Sequence, residues 1–91
     1  MRQELEMILG EEIRYLAIET RNRLNLTQRQ MGELLQMGES SYSNIETGDT
    51  VCASALTETL LLKMQDDPKH FVDRVIKRFV KLYETELQPT L

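Results

Sequence analysis

Apolar residues recur every three or four positions through the first quarter of the chain, at Leu5, Leu9, Ile13, Leu16, Ala17 and Leu24. At about 100° per residue these fall on one side of a helix, which is expected over Arg2 to Leu24. Gly10 is a point where that helix could divide, because a mid-helix Gly costs about 1 kcal/mol. Asn25 stands where a helix end calls for a left-handed residue, a conformation Asn tolerates. Thr27 is a good N-cap, and Gln30 completes a capping-box pattern with it. The next helix is expected from Gln28 to about Leu35, with Met31, Leu34 and Leu35 inward. Gln36, Met37 and Gly38 form a turn. A third helix follows from Glu39 to Glu46, with Tyr42 and Ile45 inward and Gly48 as its stop. Residues 49–53 read as a loop. Ser54 caps a fourth helix to about Gln65, with Leu56, Leu60, Leu61 and Met64 facing the core. Pro68 suits the first turn of a fifth helix running to about Glu86. No segment alternates with period two, so the expected class is all-α, with five helices.

The second and third helices are too short to stand alone, since isolated helices under about 12 residues are marginal in water. They must be held by their neighbours, and four or five residues join them. That is the plan of a helix-turn-helix, in which one helix positions a second whose outer face is free to enter a DNA groove. The outer face of the third helix offers Glu39, Ser40, Ser41, Ser43 and Asn44, a row of polar groups with no Lys or Arg. Asn44 can present a bidentate amide to adenine, Glu39 can accept from cytosine, and Ser40 and Ser41 can bond a base or a phosphate. The plain alternative is a solvated face on a short helix.

The stretch LTQRQMGELLQMGESSYSNIETG, residues 26–48, resembles the helix-turn-helix of phage repressor and Cro proteins and their bacterial relatives, the XRE family. The family pattern is approximately L-T-Q-x-x-L-A-x-x-L-G-V-S-x-x-x-I-S-x-x-E-x-G. Leu26, Thr27, Gln28, Leu35, Ser43, Glu46 and Gly48 match it directly, and Met31, Gly32, Met37, Tyr42 and Ile45 match by type. The likeness extends over about Ile13 to Met64 and implies a lambda-repressor-like five-helix domain. It implies that Gln28 opens the second helix and bonds a DNA phosphate, with Thr27 and Arg29 beside it. It places Glu39, Ser40 and Asn44 at base edges, with Ser41 and Ser43 alongside, and it implies a structural Arg21–Glu46 salt bridge. The chain departs from the pattern in three places. Gln36 replaces the turn Gly, Gly38 replaces the N-cap Ser, and Asp49 stands where a Lys or Arg often meets the backbone.

Composition narrows the partners. At 91 residues the chain is expected to form one domain, 1–91, with the helix-turn-helix at 27–48. The net charge of −4 weighs against a general nucleic-acid binder, and between Glu11 and Thr50 seven acidic residues face four Arg. Cys52 is the sole cysteine, which points to a reducing, cytoplasmic setting. There is no signal-peptide hydrophobic region and no apolar run near the roughly 20 residues of a membrane span. The length leaves no room for a ligand-sensing domain, so control is expected from concentration, a protein partner or competition at the operator. Enzymatic chemistry has little support. His70 is the only His, Cys52 has no CxxC partner, and Asp66, Asp67 and Asp73 lack the spacing of a calcium loop. Met31, Met37 and Met64 read as core filler, and no cofactor or metal is expected.

The last helix is apolar over half its circumference, through Phe71, Val72, Val75, Ile76, Phe79, Val80, Leu82 and Tyr83. A helix docking on one core needs a narrower stripe, so a second buried surface is expected, most simply a twin helix in a homodimer. The alternative is that a small core needs the full width. Arg74, Lys77, Arg78 and Lys81 are expected on the opposite side, facing a phosphate backbone, a partner or water. Residues 54–71, SALTETLLLKMQDDPKHF, resemble the tail of antitoxin-type members, which leaves a protein partner such as a toxin open. The expected function is sequence-specific recognition of double-stranded DNA as a transcriptional regulator. The rival is a protein-interaction module with weak or lost DNA binding.

Overall fold

The computed structural model describes residues 1–50 and 53–86, so Val51 and Cys52 of the expected loop lie outside the described residues. Five helices follow one another: α1 (Arg2–Arg23), α2 (Gln28–Leu34), α3 (Glu39–Thr47), α4 (Ala55–Lys63) and α5 (Pro68–Glu86). There is no strand among the described residues.

Gly10 does not divide α1, which runs unbroken for 22 residues. Contacts on both sides of Gly10 hold it straight. Ile8 lies beside Leu82 of α5, and Glu12 takes Arg74 and Arg78 of the same helix. Pairing the start of α1 with the end of α5 makes the two helices antiparallel.

Both ends of α2's neighbourhood are built from the same closing turn. After α1, Asn25 adopts φ 55°, its N–H donates to the Asn22 carbonyl, and the Leu26 N–H reaches back to the Arg21 carbonyl at 3.0 Å. After α2, Gln36 adopts φ 58°, and the Met37 N–H reaches the Gly32 carbonyl at 2.9 Å. In each case the residue after the left-handed one, Leu26 or Met37, packs on the core. The start of α2 carries the full capping box: Thr27 Oγ1 accepts from the Gln30 N–H at 3.1 Å, and Gln30 Oε1 accepts from the Thr27 N–H at 2.9 Å. Gly48 ends α3 at φ 86°.

The core gathers Ile13 and Ala17 of α1, Met31 of α2, Leu35 just after it, Tyr42 and Ile45 of α3, and Leu61 of α4. Two expected core positions are not in it. Leu34 and Leu56 are exposed. On α2 the inward row is Met31 and Leu35, one turn apart, so Leu34 points off its edge. On α4 Thr57 and Leu61 are buried and Leu60 and Met64 pack on the core, and Leu56 falls off the edge of that face in the same way. Gly32 is needed at a close approach, because a Cβ there would meet the Met37 carbonyl oxygen at 3.0 Å.

Along α5 only part of the apolar arc turns inward. Val75 is buried and Phe71 packs on the core, whereas Val72, Ile76, Val80 and Tyr83 are exposed. The basic stripe is also divided. Arg74 and Arg78 fold onto α1, with Arg74 Nε 3.2 Å from Glu12 and Arg78 Nη2 2.9 Å from Glu11, so they face α1 rather than phosphate or water alone. Lys77 and Lys81 remain exposed.

Of the two non-Gly residues in the left-handed region, Gln36 is the more strained, since Asn tolerates a conformation that costs other side chains about 1–2 kcal/mol. Part of that is offset by the greater backbone freedom Gly loses on folding. Gln36→Gly is therefore expected to raise stability by about 0.5–1 kcal/mol, read from the midpoint of urea unfolding.

Candidate nucleic-acid interface

The polar centre of the molecule is the carboxylate of Glu46, on the last turn of α3 and only 9% exposed. A charge so placed must be matched by partners. Arg21 of α1 supplies two, with Nε to Oε2 at 2.5 Å and Nη2 to Oε1 at 3.0 Å. Gln28, the first residue of α2, donates Nε2 to Oε1 at 3.2 Å. Tyr42, one turn earlier on α3, donates its hydroxyl to Oε2. Arg14 bonds the Glu46 backbone carbonyl at 2.6 Å, and Arg21 Nη1 reaches the Leu26 carbonyl at 3.2 Å. One side chain thus fastens α1, α2 and α3 together.

Burial alone would raise the Glu46 pKa. The bonds from Arg21, Tyr42 and Gln28 outweigh it and hold the carboxyl below its ordinary 4.5. Burial, with the facing carboxylate second, pushes the Tyr42 phenol above its ordinary value, so it stays a donor.

With the frame tied in this way, the outer side of α3 and the start of α2 form one surface. Gln28, Glu39, Ser40, Ser43 and Asn44 line a single open depression. Glu39, Ser40 and Asn44 are exposed and Ser43 is half-buried. Ser41 is exposed but lies outside this depression. Thr27 stands at the α2 N-cap with its oxygen already accepting from Gln30. Arg29 is exposed, 3.5 Å from Glu33. The Asn44 side-chain amide has no intramolecular partner among the described residues, while its backbone carbonyl accepts from the Thr50 N–H at 3.0 Å. The amide is therefore free to meet a base edge, the donor-plus-acceptor arrangement that adenine complements in the major groove.

The electrostatic support is sparse. Arg14 and Arg21 are turned to Glu46, and no Lys or Arg lines the depression among the described residues; Arg29, next to Gln28 in the chain, is exposed beside Glu33. Asp49 lies exposed just past α3, where Thr47 Oγ1 donates to it at 3.1 Å. Among the described residues no group of three or more His, Cys, Asp or Glu side chains is placed to hold a metal ion, and no helix is long and apolar enough to cross a membrane.

Sequence reasoning missed three of the partners of Glu46. Tyr42 stands four residues before it on one helix face, a spacing that signals contact. Gln28 carried a DNA role that hid its structural one. Arg14 carried no signal, because its reach to α3 depends on how α1 crosses that helix.

A family profile described as a helix-turn-helix domain matches residues 9–63, most of the chain from within α1 to the end of α4. The chain belongs to that family, of the XRE/Cro-like type. Membership points to a DNA-binding regulator, and the family is typically non-enzymatic. No curated protein and no solved structure matches the chain.

Replacing Glu46 by Gln leaves Arg21 facing a neutral amide. The expected loss is about 3 kcal/mol, at the low end for a broken buried pair because Arg21 keeps some solvent contact. The pH dependence follows from the lowered pKa. Below about 4.5 the unfolded chain takes up a proton that the folded chain resists. The stability Glu46 supplies is complete above that value and drains away as pH falls toward the folded pKa. Urea unfolding across the acid range should show a steeper acid limb in the wild type than in Glu46→Gln.

Proposed function

We propose that the protein is a cytoplasmic, sequence-specific regulator of transcription of the XRE type, a single domain over residues 1–91. It binds double-stranded DNA as a homodimer and presents α3 to the major groove. The observation that carries this reading is the depression lined by Gln28, Glu39, Ser40, Ser43 and Asn44, on a frame whose buried side-chain polar groups are paired among the described residues. Thr27 and Gln28 meet phosphate, with Arg29 beside them. Asn44 and Ser40 read base edges, Ser41 and Ser43 support them, and Glu39 selects against bases that offer it no donor.

The scarcity of cations sets the character of the binding. Specificity rests on base contacts rather than on general attraction to phosphate. Affinity should fall with salt only shallowly, at roughly one or two released counterions per protomer.

A second reading, a protein-interaction module or antitoxin-like partner, draws support from Asp49, Glu39 and the acid balance of the helix-turn-helix. The two are separated by fluorescence anisotropy on a duplex selected from a random library, measured against a shuffled duplex at two salt concentrations. The wild type is expected to prefer the selected duplex by roughly a thousandfold or more. Ser40→Ala with Asn44→Ala should lose roughly 10- to 100-fold per base contact while the thermal midpoint stays put. Preference that survives the pair removes α3 as the reader. No preference at low salt favours the partner-binding module.

A further inference from the structure

We propose that the cleft between α1 and the start of α5 seats an arginine side chain presented by a partner protein. The inference goes beyond the proposed function and stands apart from it, since the cleft shares no residue with the depression on α3.

The cleft opens between α1, the link from α4 to α5 and the first two turns of α5, with a volume of about 150 Å³. Leu16 and Phe71, both packed against the core, form its apolar wall. Glu19, Gln65 and Asp67 set polar groups around that wall, and His70 stands beside them. The donors of the cleft are largely spent. Gln65 Nε2 donates to Thr20 Oγ1 at 2.8 Å and to the Leu61 carbonyl at 2.9 Å, so both amide hydrogens are used and Oε1 is left to accept. Arg74 is drawn to the buried Glu12, with Nε 3.2 Å from Oε2. Glu19 and Asp67 are exposed, and neither carboxylate has an ion pair among the described residues.

The unmet need of the cleft is therefore a donor. The carboxylates of Glu12, Glu19 and Asp67 outnumber the guanidinium of Arg74 in its lining, and Gln65 adds a neutral acceptor. A cation with several N–H groups complements this set. Guanidinium fits it better than ammonium, because it is planar, carries five donors and is less strongly hydrated, and it lies readily against an aromatic ring such as Phe71. Size then sets the source. Pockets for small ligands run from about 300 Å³ upward, so this cleft holds a single side chain rather than a whole effector molecule. Arg is among the residues enriched where one protein anchors in a pocket of another. The helix-turn-helix match ends at residue 63, so Asp67, Phe71 and Arg74 give the chain a cleft that the matched region alone does not build.

The test is an NMR titration of the labelled full chain with capped arginine (N-acetyl-arginine N-methylamide), beside capped lysine and the neutral capped citrulline. Capped arginine should shift the amides of Leu16, Glu19, Gln65 and Phe71 to saturation, capped lysine should bind more weakly, and citrulline should not bind. Glu19→Gln with Asp67→Asn should raise the dissociation constant roughly 5-fold, as two exposed charge contacts are lost, while the thermal midpoint stays put. Asn at 67 keeps a side-chain oxygen for the α5 N-terminus. Asp73→Asn with Glu84→Gln removes the same charge from the opposite side of α5 and should leave binding unchanged. No saturation, equal binding of citrulline, or an equal loss in both double variants overturns the site. The source is tested by selecting displayed random peptides on the wild type. A consensus built on one Arg, and lost on Glu19→Gln with Asp67→Asn, is expected. Capped arginine that binds while the selected peptides lack Arg, or hold equally to the double variant, overturns the protein partner.

Discussion

Glu46 sits almost out of water on a helix too short to stand by itself, and the arrangement of the first three helices follows from the need to match its charge. Arg21 brings α1 to it, Gln28 brings the first residue of α2, and Tyr42 fixes the carboxylate from its own helix. Because the partners come from three elements, the angle between α2 and α3 is set by hydrogen-bond geometry as well as by apolar contact. Apolar packing of Met31, Leu35, Tyr42 and Ile45 supplies most of the stabilisation. The carboxylate supplies direction, since a shifted α3 would leave a charge buried without partners.

This division of labour explains how the outer surface is freed. Two Arg residues of α1 are engaged by α3 rather than by the surface: Arg21 bonds the Glu46 carboxylate and Arg14 the Glu46 backbone carbonyl. What remains outside is a set of short side chains, Ser40, Ser43 and Asn44, with Glu39 at the rim and Gln28 bridging frame and surface. On the proposed function, such a surface would hold DNA of arbitrary sequence poorly and would act by discriminating base edges. The same economy recurs at α5. There Arg74 and Arg78 are spent on Glu11 and Glu12, fastening the helix to α1 and leaving its apolar row outward.

Much of the fold was legible in the sequence because its punctuation is local. The Thr27–Gln30 capping box, Asn25 in the left-handed region, Gly48 at the α3 end and Pro68 at the α5 start each act over a few residues, and the structure has all of them. What was not legible depends on tertiary placement. Leu34 and Leu56 look like core residues by type, yet each falls at the edge of the face its short helix turns inward, where Met31 and Leu35, or Thr57 and Leu61, are buried. Gly10 reads as a break until α5 is seen packing on both sides of it. Arg74 and Arg78 read as part of a free basic stripe until the antiparallel crossing brings Glu11 and Glu12 beneath them. On the candidate surface the residue types were readable, as was Glu46 as partner of Arg21. That Gln28 and Tyr42 share the same carboxylate required the crossing of three helices.

The most direct test of the account is an NMR titration of the isotopically labelled full chain with a selected DNA duplex, following every assigned amide. The account predicts the largest shifts at Gln28 and along Glu39 to Asn44, with the buried Glu46 environment little changed. Shifts concentrated on α5, or none along α3, would contradict it.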